Sequence, residues 1–465
     1  MTSTIALIDA LQQSGYANLL DQSYSSLLDR DQVWADNDYF TRELLARDIR
    51  HEQKAVPSDA RPLLIGQPAY DRITDAFGRL FPLLERAIEL YLSDRSVRTF
   101  FNFAPRHDSL IRLGAEYRPY IQACRYDFTL DATGRPLIYE LNTQCPAAAT
   151  YAVHYAELAG RSRIQAALDG FGLARRPMPL EQPNSFAAAM LASAARNGRT
   201  VRGVAVLNSR YLTMNTELDH IVAQFRALGV PAVRCFVEDL RFLDGELRYR
   251  GLPIDLTYNK FDDSWGPDAY ECAFSRTTAE VADYLAAYRA GAVLAVNSFP
   301  SMYLPEQKSM LAFLHSEQFA GCCTEAERAL VAEIVPHTTV VRLAGPATLD
   351  RIAEQRTDYV LKKSLDTRGR NTVLGRSVSD ATWRQTLAEA LATEPGDDWV
   401  AQRLAPPLES KLDRLDGGEP ETVFSTLACF LFTGSPVGLI VRSSVEETTN
   451  VGRVGFVQVP GVVQP

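Results

Sequence analysis

The sequence predicts an α/β protein built from two or three packed lobes. Three observations predict it. Between Gly203 and Asn297, short apolar runs alternate with amphipathic helical patterns, as in a parallel sheet covered by helices. Residues Cys124 to Thr143 read as a hairpin with one apolar and one polar face. Residues Tyr359 to Gly375 read as a strand, a polar loop and a return strand. The chain of 465 residues is too long for one simple core.

Composition narrows the function. A formal net charge of −9 argues against a nucleic-acid surface or an anionic membrane as partner. No apolar run reaches the roughly 18 residues of a membrane helix, and the start MTSTIALIDALQQSG has no basic leader segment. Seven cysteines without a CxxC pair predict reduced thiols, a cytoplasmic location and no zinc module. The adjacent Cys322 and Cys323 are expected to be buried as small hydrophobes.

In chain order, residues 1–100 are expected to be helical. Tyr70, Ile73, Phe77 and Leu80 fit one helix face, and Pro82 is expected to start a second helix carrying Leu83, Leu84, Ala87, Ile88 and Tyr91. The hairpin follows, within a unit expected over residues 101–175. If its turn closes symmetrically, Asp127 faces Glu140 and Arg125 faces Asn142. Cys124, Tyr126 and Phe128 then share the apolar face with Leu137, Tyr139 and Leu141. Facing carboxylates repel, and a cation between them would relieve the repulsion. Asp, Glu and Asn oxygens are hard donors of the kind Mg²⁺ takes beside substrate phosphates. A solvated outer face of a surface hairpin is the alternative. Behind the hairpin, AAATYAVHYAELAG is a helix expected to start beside Thr143, its first N–H groups facing anions. Cys145 lies in that turn, with no histidine nearby in sequence to activate it.

A proline-bearing stretch at residues 176–198 leads to the α/β unit, expected over 199–300. Its strands are Gly203 to Leu207, Ala232 to Phe236, Ile254 to Asn259 and Ala292 to Asn297, with Thr216 capping a helix and Asp244-Gly245 marking a hairpin turn. NSRYLTMNT after the first strand holds no GxGxxG, which argues against an NAD-type site. The last unit, 301–465, opens on Lys308 in the first turn of a helix, where a cation suits the helix dipole only if an anion is near. Val335 to Val341 is a strand entered through a proline turn. Tyr359 to Lys362, the loop Asp366 to Asn371, and Thr372 to Gly375 make a candidate phosphate cover, with the lysine as point charge and loop N–H groups around Gly369 as donors. It is not a Walker A loop. Ser379 caps a helix with Trp383, Leu387 and Leu391 on one stripe, and Trp399 to Gln402 is a further strand. A strand ending at Arg442, beside Ser443 and Ser444, offers either an oxyanion contact or a surface salt bridge.

Together these pieces resemble the ATP-grasp enzymes. RYDFTLDATGRPLIYELNT resembles their metal-binding strand pair, VLKKSLDTRGRNTVLG their ATP-covering strand, loop and strand, WVAQ their adenine hinge, and PHTTV the strand before the ATP lobe. The hairpin precedes the lysine element by over two hundred residues. That order resembles the circularly permuted branch, which includes glutathionylspermidine synthetase and eukaryotic glutathione synthetase, and most of all its bacterial type 2 members. The resemblance implies a circularly permuted ATP-grasp fold with a Rossmann-like pre-ATP-grasp domain and a helical N-terminal segment. It implies Mg²⁺ on Asp127, Glu140 and Asn142, with Asp366 as candidate for the acidic loop ligand. It implies Arg125 at the transferred phosphoryl group; Arg442, from its place beside Ser443 and Ser444, is a second catalytic candidate. It implies ATP on Lys308 and Lys362, on the loop with Arg368 and Gly369, and on the hinge Gln402, Arg403 and Leu404. Relatives often have Lys-Pro at Lys362-Lys363, which makes Lys363 a further phosphate candidate. The implied activity is ATP-dependent carboxylate–amine ligation of small amino-acid-like substrates through an acyl phosphate, releasing ADP and phosphate. A non-catalytic nucleotide-binding regulator and a phosphotransferase are the alternatives.

Overall fold

The computed structural model describes residues 28–51, 54–131, 133–144, 146–170, 172–208, 216–260, 279–366, 371–412, 414–415, 417–447 and 455–463. Three sheets among these residues position the site. The largest has eight strands. Its main path runs Ser58–Gly66, Gly455–Val463, Ser435–Ser444, Glu421–Phe432, Ala123–Leu130 and Pro136–Asn142. The hairpin is therefore the end of a large sheet, and Ala123–Leu130 is buried along its whole length. Helix Gln67–Ser93 lays its apolar face on this sheet: Phe77 meets Tyr126 and Phe128 edge-on, with ring centroids 5.4 and 4.9 Å apart.

The second sheet is parallel, in the order Leu294–Val296, Leu256–Asn259, Val204–Asn208, Ala232–Phe236. Helices Glu217–Ala227 and Ala282–Arg289 belong to the connections. Asp244 and Gly245 both have positive φ, 52° and 80°, and join two antiparallel strands as the Asp-Gly pair predicts. The third sheet is antiparallel, in the order Thr338–Val340, Trp399–Arg403, Tyr359–Lys363, Thr372–Leu374. Helix Asp380–Leu391 covers one of its faces with Trp383 and Leu387, and Ser379 caps that helix through the Thr382 N–H. Leu391 lies outside the stripe and is exposed.

Four expectations change. Pro82 starts no second helix; it sits inside the continuous helix Gln67–Ser93. An interior proline costs about 3 kcal/mol, and a buried stripe that continues from Leu80 to Tyr91 offsets it. The first hundred residues are not all helical, because Ser58–Gly66 is a nine-residue strand parallel to the last strand of the chain. The helix after the hairpin begins at Ala152, not beside Thr143. Cys322 is exposed and Cys323 half-buried, since they lie in the turn that follows the short helix Glu317–Ala320.

His107, on the short helix Pro105–Ile111, is 3 % exposed, and neither ring nitrogen has a hydrogen-bond partner. Its nearest ring is Tyr303, 5.2 Å away. Burial pushes its imidazole down to about 4, with Arg106 adding to the effect. The unfolded chain then takes up a proton near pH 6.5 that the native state refuses until about pH 4. Stability from this group is therefore complete above pH 6.5 and falls as pH drops toward 4, by a total of about 3 kcal/mol. His107→Leu should shrink the difference in urea-unfolding free energy between pH 7.5 and 5 by about 2 kcal/mol. An unchanged difference would mean that His107 finds a partner or water in solution.

Candidate active site

The hairpin pairs in the expected register, Arg125 with Asn142 and Asp127 with Glu140. Local side-chain chemistry then departs from the expectation. Asp127 is almost wholly buried and both its oxygens are occupied. Arg125 reaches it through Nε (2.8 Å) and one terminal nitrogen (3.1 Å), and Arg442 reaches Oδ2 at 2.6 Å. Burial alone would raise the carboxyl, but the Arg125 and Arg442 guanidiniums outweigh it and hold Asp127 below the usual aspartate range. Arg442 is not at a strand end. It lies inside Ser435–Ser444 and reaches across Glu421–Phe432 to the hairpin. Neither serine beside it serves an oxyanion here: Ser443 Oγ bonds Ser425 and Gln458, and Ser444 Oγ accepts the Glu446 N–H.

Between Asp127 and Phe128 the register slips by one residue, which leaves Tyr139 as a bulge. A bulge breaks the alternation of faces. Ile138 and Leu141 go to the core, while Tyr139, expected on the apolar side, is only half-buried and faces the third sheet. Lys362 Nζ lies 5.2 Å over its ring and donates to its carbonyl oxygen at 3.1 Å. Lys362 also donates to Gln402 Oε1 at 2.8 Å, and Gln402 Nε2 donates to Thr338 Oγ1 at 3.1 Å. Burial lowers the Lys362 ammonium to about 8, while Glu140 acts in the opposite direction.

Lys308 enters from below the third sheet. Its Nζ lies 3.1 Å from Glu140 Oε1 and donates to the Asp366 carbonyl at 2.7 Å. Two residues earlier stands Glu306, which the sequence reading missed. Its Oε2 accepts the Thr143 and Gln144 N–H groups at 2.6 and 2.9 Å, so the donors expected to face an anion are taken by the protein itself. Burial pushes Glu306 up to about 7, against the pull of these amides and Lys308. The only signal in sequence was a carboxylate two positions before a candidate phosphate lysine. Asn142 is different again: its Nδ2 is buried without a hydrogen-bond partner.

The remaining candidates divide by place. Lys363 points to the opposite face of its strand and pairs with Asp397 at 2.8 Å. The Asp366 carboxylate accepts from Asn371 at 2.7 Å. Gln402 is buried, so its side chain meets Lys362 and Thr338. Arg403 pairs with Asp358 at 3.0 Å and sits over the Tyr359 ring, and the Leu404 N–H donates to the Asp358 carbonyl. Arg368, Gly369 and Cys145 lie outside the described residues.

For a divalent cation the donors fit in part. Glu140, half-exposed, and Asn142, two residues on, carry hard side-chain oxygens, and the Asn142 atom left without a partner is its amide nitrogen. Asp127 joins them only by giving up an arginine. No group of three His, Cys, Asp or Glu residues suited to a metal occurs among the described residues, so any ion would rely on Asn142 and on oxygens from its substrate.

A hairpin that meets a four-stranded lysine sheet, in this permuted order, marks an ATP-grasp protein, with the fold of ATP-dependent ligases. The chain belongs to the circularly permuted ATP-grasp type 2 family, whose model matches residues 102–419. Among solved structures it is similar to a glutathione synthetase-like effector from Globodera pallida in its apo form. That likeness has a TM-score of 0.62 at 11% identity and covers 94% of this chain and 98% of the other. No curated protein matches the sequence. No described helix is long and apolar enough to cross a membrane.

Proposed function

We propose that the protein is an ATP-dependent carboxylate–amine ligase that joins small amino-acid-like substrates through an acyl phosphate, with release of ADP and phosphate. One observation carries the reading: Arg125, Arg442, Lys308 and Lys362 converge on the hairpin at Asp127, Tyr139 and Glu140, beside Asn142. That surplus of cations suits a polyphosphate. Lys362 and Lys308 hold the phosphates as point charges. Glu140 and Asn142 would hold Mg²⁺, which supplies charge neutralisation between the outer phosphates. Arg125 and Arg442, already fixed by Asp127, present N–H groups to the carboxylate that is phosphorylated and to the oxyanion that follows. Carbonyl attack by an amine then expels phosphate, a far better leaving group than oxide. The walls must exclude water, or the acyl phosphate hydrolyses.

The acceptor enters from the parallel sheet. Ligands of open α/β sheets bind beyond the carboxyl ends of the strands, where strand order reverses. Here the reversal falls between Val204–Asn208 and Leu256–Asn259. Lys260 follows the second of these and pairs with Glu217 at 3.3 Å, and Thr150, just behind the hairpin, contacts the same glutamate.

An ADP-release screen over pairs of amino acids, followed by mass spectrometry, tests the reading. Amide product with ADP is expected. AMP and pyrophosphate would overturn the acyl-phosphate scheme, a phosphorylated acid without amide would mark a phosphotransferase, and ATP binding without turnover would mark a regulator. Glu140→Gln and Asn142→Ala should each lower Mg²⁺-dependent turnover by about 100-fold or more while thermal melting shows both still folded. Near-full activity in either would remove it from the metal site.

A further inference from the structure

The segment from Asn297 to Ser309 touches all three sheets. It starts directly after the last parallel strand. Asn297 grips both ends of the hairpin: its Oδ1 accepts the Gln122 and Ala123 N–H groups at 2.8 and 2.9 Å, and its Nδ2 donates to the Ala123 and Thr143 carbonyls. Glu306 then accepts the Thr143 and Gln144 N–H groups with one oxygen. Lys308 holds Glu140 by its side chain and the Ser364 carbonyl by its backbone N–H at 2.9 Å. Ser309 Oγ meets Ser364 Oγ at 2.6 Å, which ties the segment to the end of the lysine strand.

Backbone N–H groups leaving a sheet need an acceptor. Water or any nearby carbonyl would satisfy Thr143 and Gln144. Instead a carboxylate is brought in from a distant segment, two residues from the lysine that pairs with Glu140. Fixing the amides at 143 and 144 fixes the backbone that carries the Asn142 side chain, whose Nδ2 has no hydrogen-bond partner among the described residues. We infer that Glu306 is a positioning residue: it suspends the end of the hairpin so that Asn142 and Glu140 present their oxygens together, in register with Lys308. This rests on the reading of the cleft as a Mg²⁺–nucleotide site. It makes a separate claim, because the hydrogen bonds of Glu306 go to the hairpin backbone at Thr143 and Gln144.

Calorimetric titration of ADP, in Mg²⁺ and in EDTA, separates the two. In the wild type Mg²⁺ should tighten ADP binding. In Glu306→Ala the metal-free affinity should stay within about threefold, while the gain from Mg²⁺ falls by about tenfold or more, the usual cost of removing a group that orients a ligand. Glu306→Gln keeps an acceptor oxygen for both amides and should retain the gain within about threefold. Thermal melting reports whether each variant is folded. If Glu306→Ala is unfolded, the glutamine variant decides: a retained gain supports the inference and a lost one overturns it. A full Mg²⁺ gain in folded Glu306→Ala also overturns it. A wild type whose ADP affinity ignores Mg²⁺ would sink the reading of the cleft, and the inference with it.

Discussion

Lys362→Ala should weaken apparent ATP affinity by about 10- to 100-fold, the range set by one charge-assisted hydrogen bond of about 1.5–3 kcal/mol. Lys363→Ala should change it by less than about threefold. The two residues are adjacent, so the contrast follows from the strand. Successive side chains point to opposite faces. Lys362 shares its face with Val400 and Gln402 and looks onto Tyr139, whereas Lys363 lies on the face that packs against helix Asp380–Leu391 and is neutralised by Asp397. Moving the positive charge by one position moves it through the sheet. With its ammonium near 8, Lys362 carries its charge fully only below that pH. ATP affinity of the wild type should therefore decline as pH rises through about 8, and Lys362→Ala should lose that dependence. Equal losses in the two alanine variants, measured by fluorescent nucleotide displacement, would show that the lobe binds phosphate through both faces.

The lysine pair shows what a sequence makes legible. Resemblance brought both lysines into view, and strand periodicity was enough to separate them, once the strand's two faces had been assigned to cleft and core. The hairpin register was legible for the same reason: two alternating runs around one turn leave little freedom. The bulge at Tyr139 was not, because an extra residue in a strand leaves no mark on composition, and it reverses the face assignments from Tyr139 back to Leu137 while Leu141 keeps its place. Glu421–Phe432 lies at the middle of the largest sheet, between the strand of Arg442 and the strand of Asp127, yet no reading of the sequence singled it out. It is buried on both faces over its second half, so it lacks alternation there. Its partners, Ala123–Leu130 and Ser435–Ser444, include one some three hundred residues away. The strand Ser58–Gly66, paired with Gly455–Val463 near the other end of the chain, was missed on the same grounds. Local pattern carries no information about such partners. Glu306 belongs to this class too, since its role depends on amides more than a hundred and sixty residues earlier.

Asp127→Ala should destabilise the fold by about 3 kcal/mol in buffer containing EDTA. Asp127 and Glu140 face each other across the hairpin. A metal between Asp127 and Glu140 is one way to relieve their repulsion. The structure supplies another, with Asp127 clamped by Arg125 and Arg442 and Glu140 paired with Lys308. Among the described residues, removing Asp127 leaves Arg125, 8 % exposed, with the Ala147 carbonyl, and leaves Arg442 with its Nε already unpartnered. Uncompensated buried charge is what makes a broken buried pair costly. A residue whose sole task is to hold a metal would behave in the opposite way, and its loss would leave the metal-free fold unchanged. Urea unfolding in EDTA therefore separates the roles. Asp127→Ala combined with Arg442→Gln should recover part of the loss, because the second change removes one of the stranded charges, and the interaction energy from the double-mutant cycle should be about 1 kcal/mol or more. Additive losses, or a single variant within about 0.5 kcal/mol of wild type, would return Asp127 to the metal. Under the proposed ligase reading the clamp has a second use: the carboxylate that neutralises the two arginines would also hold them in place for a substrate carboxylate.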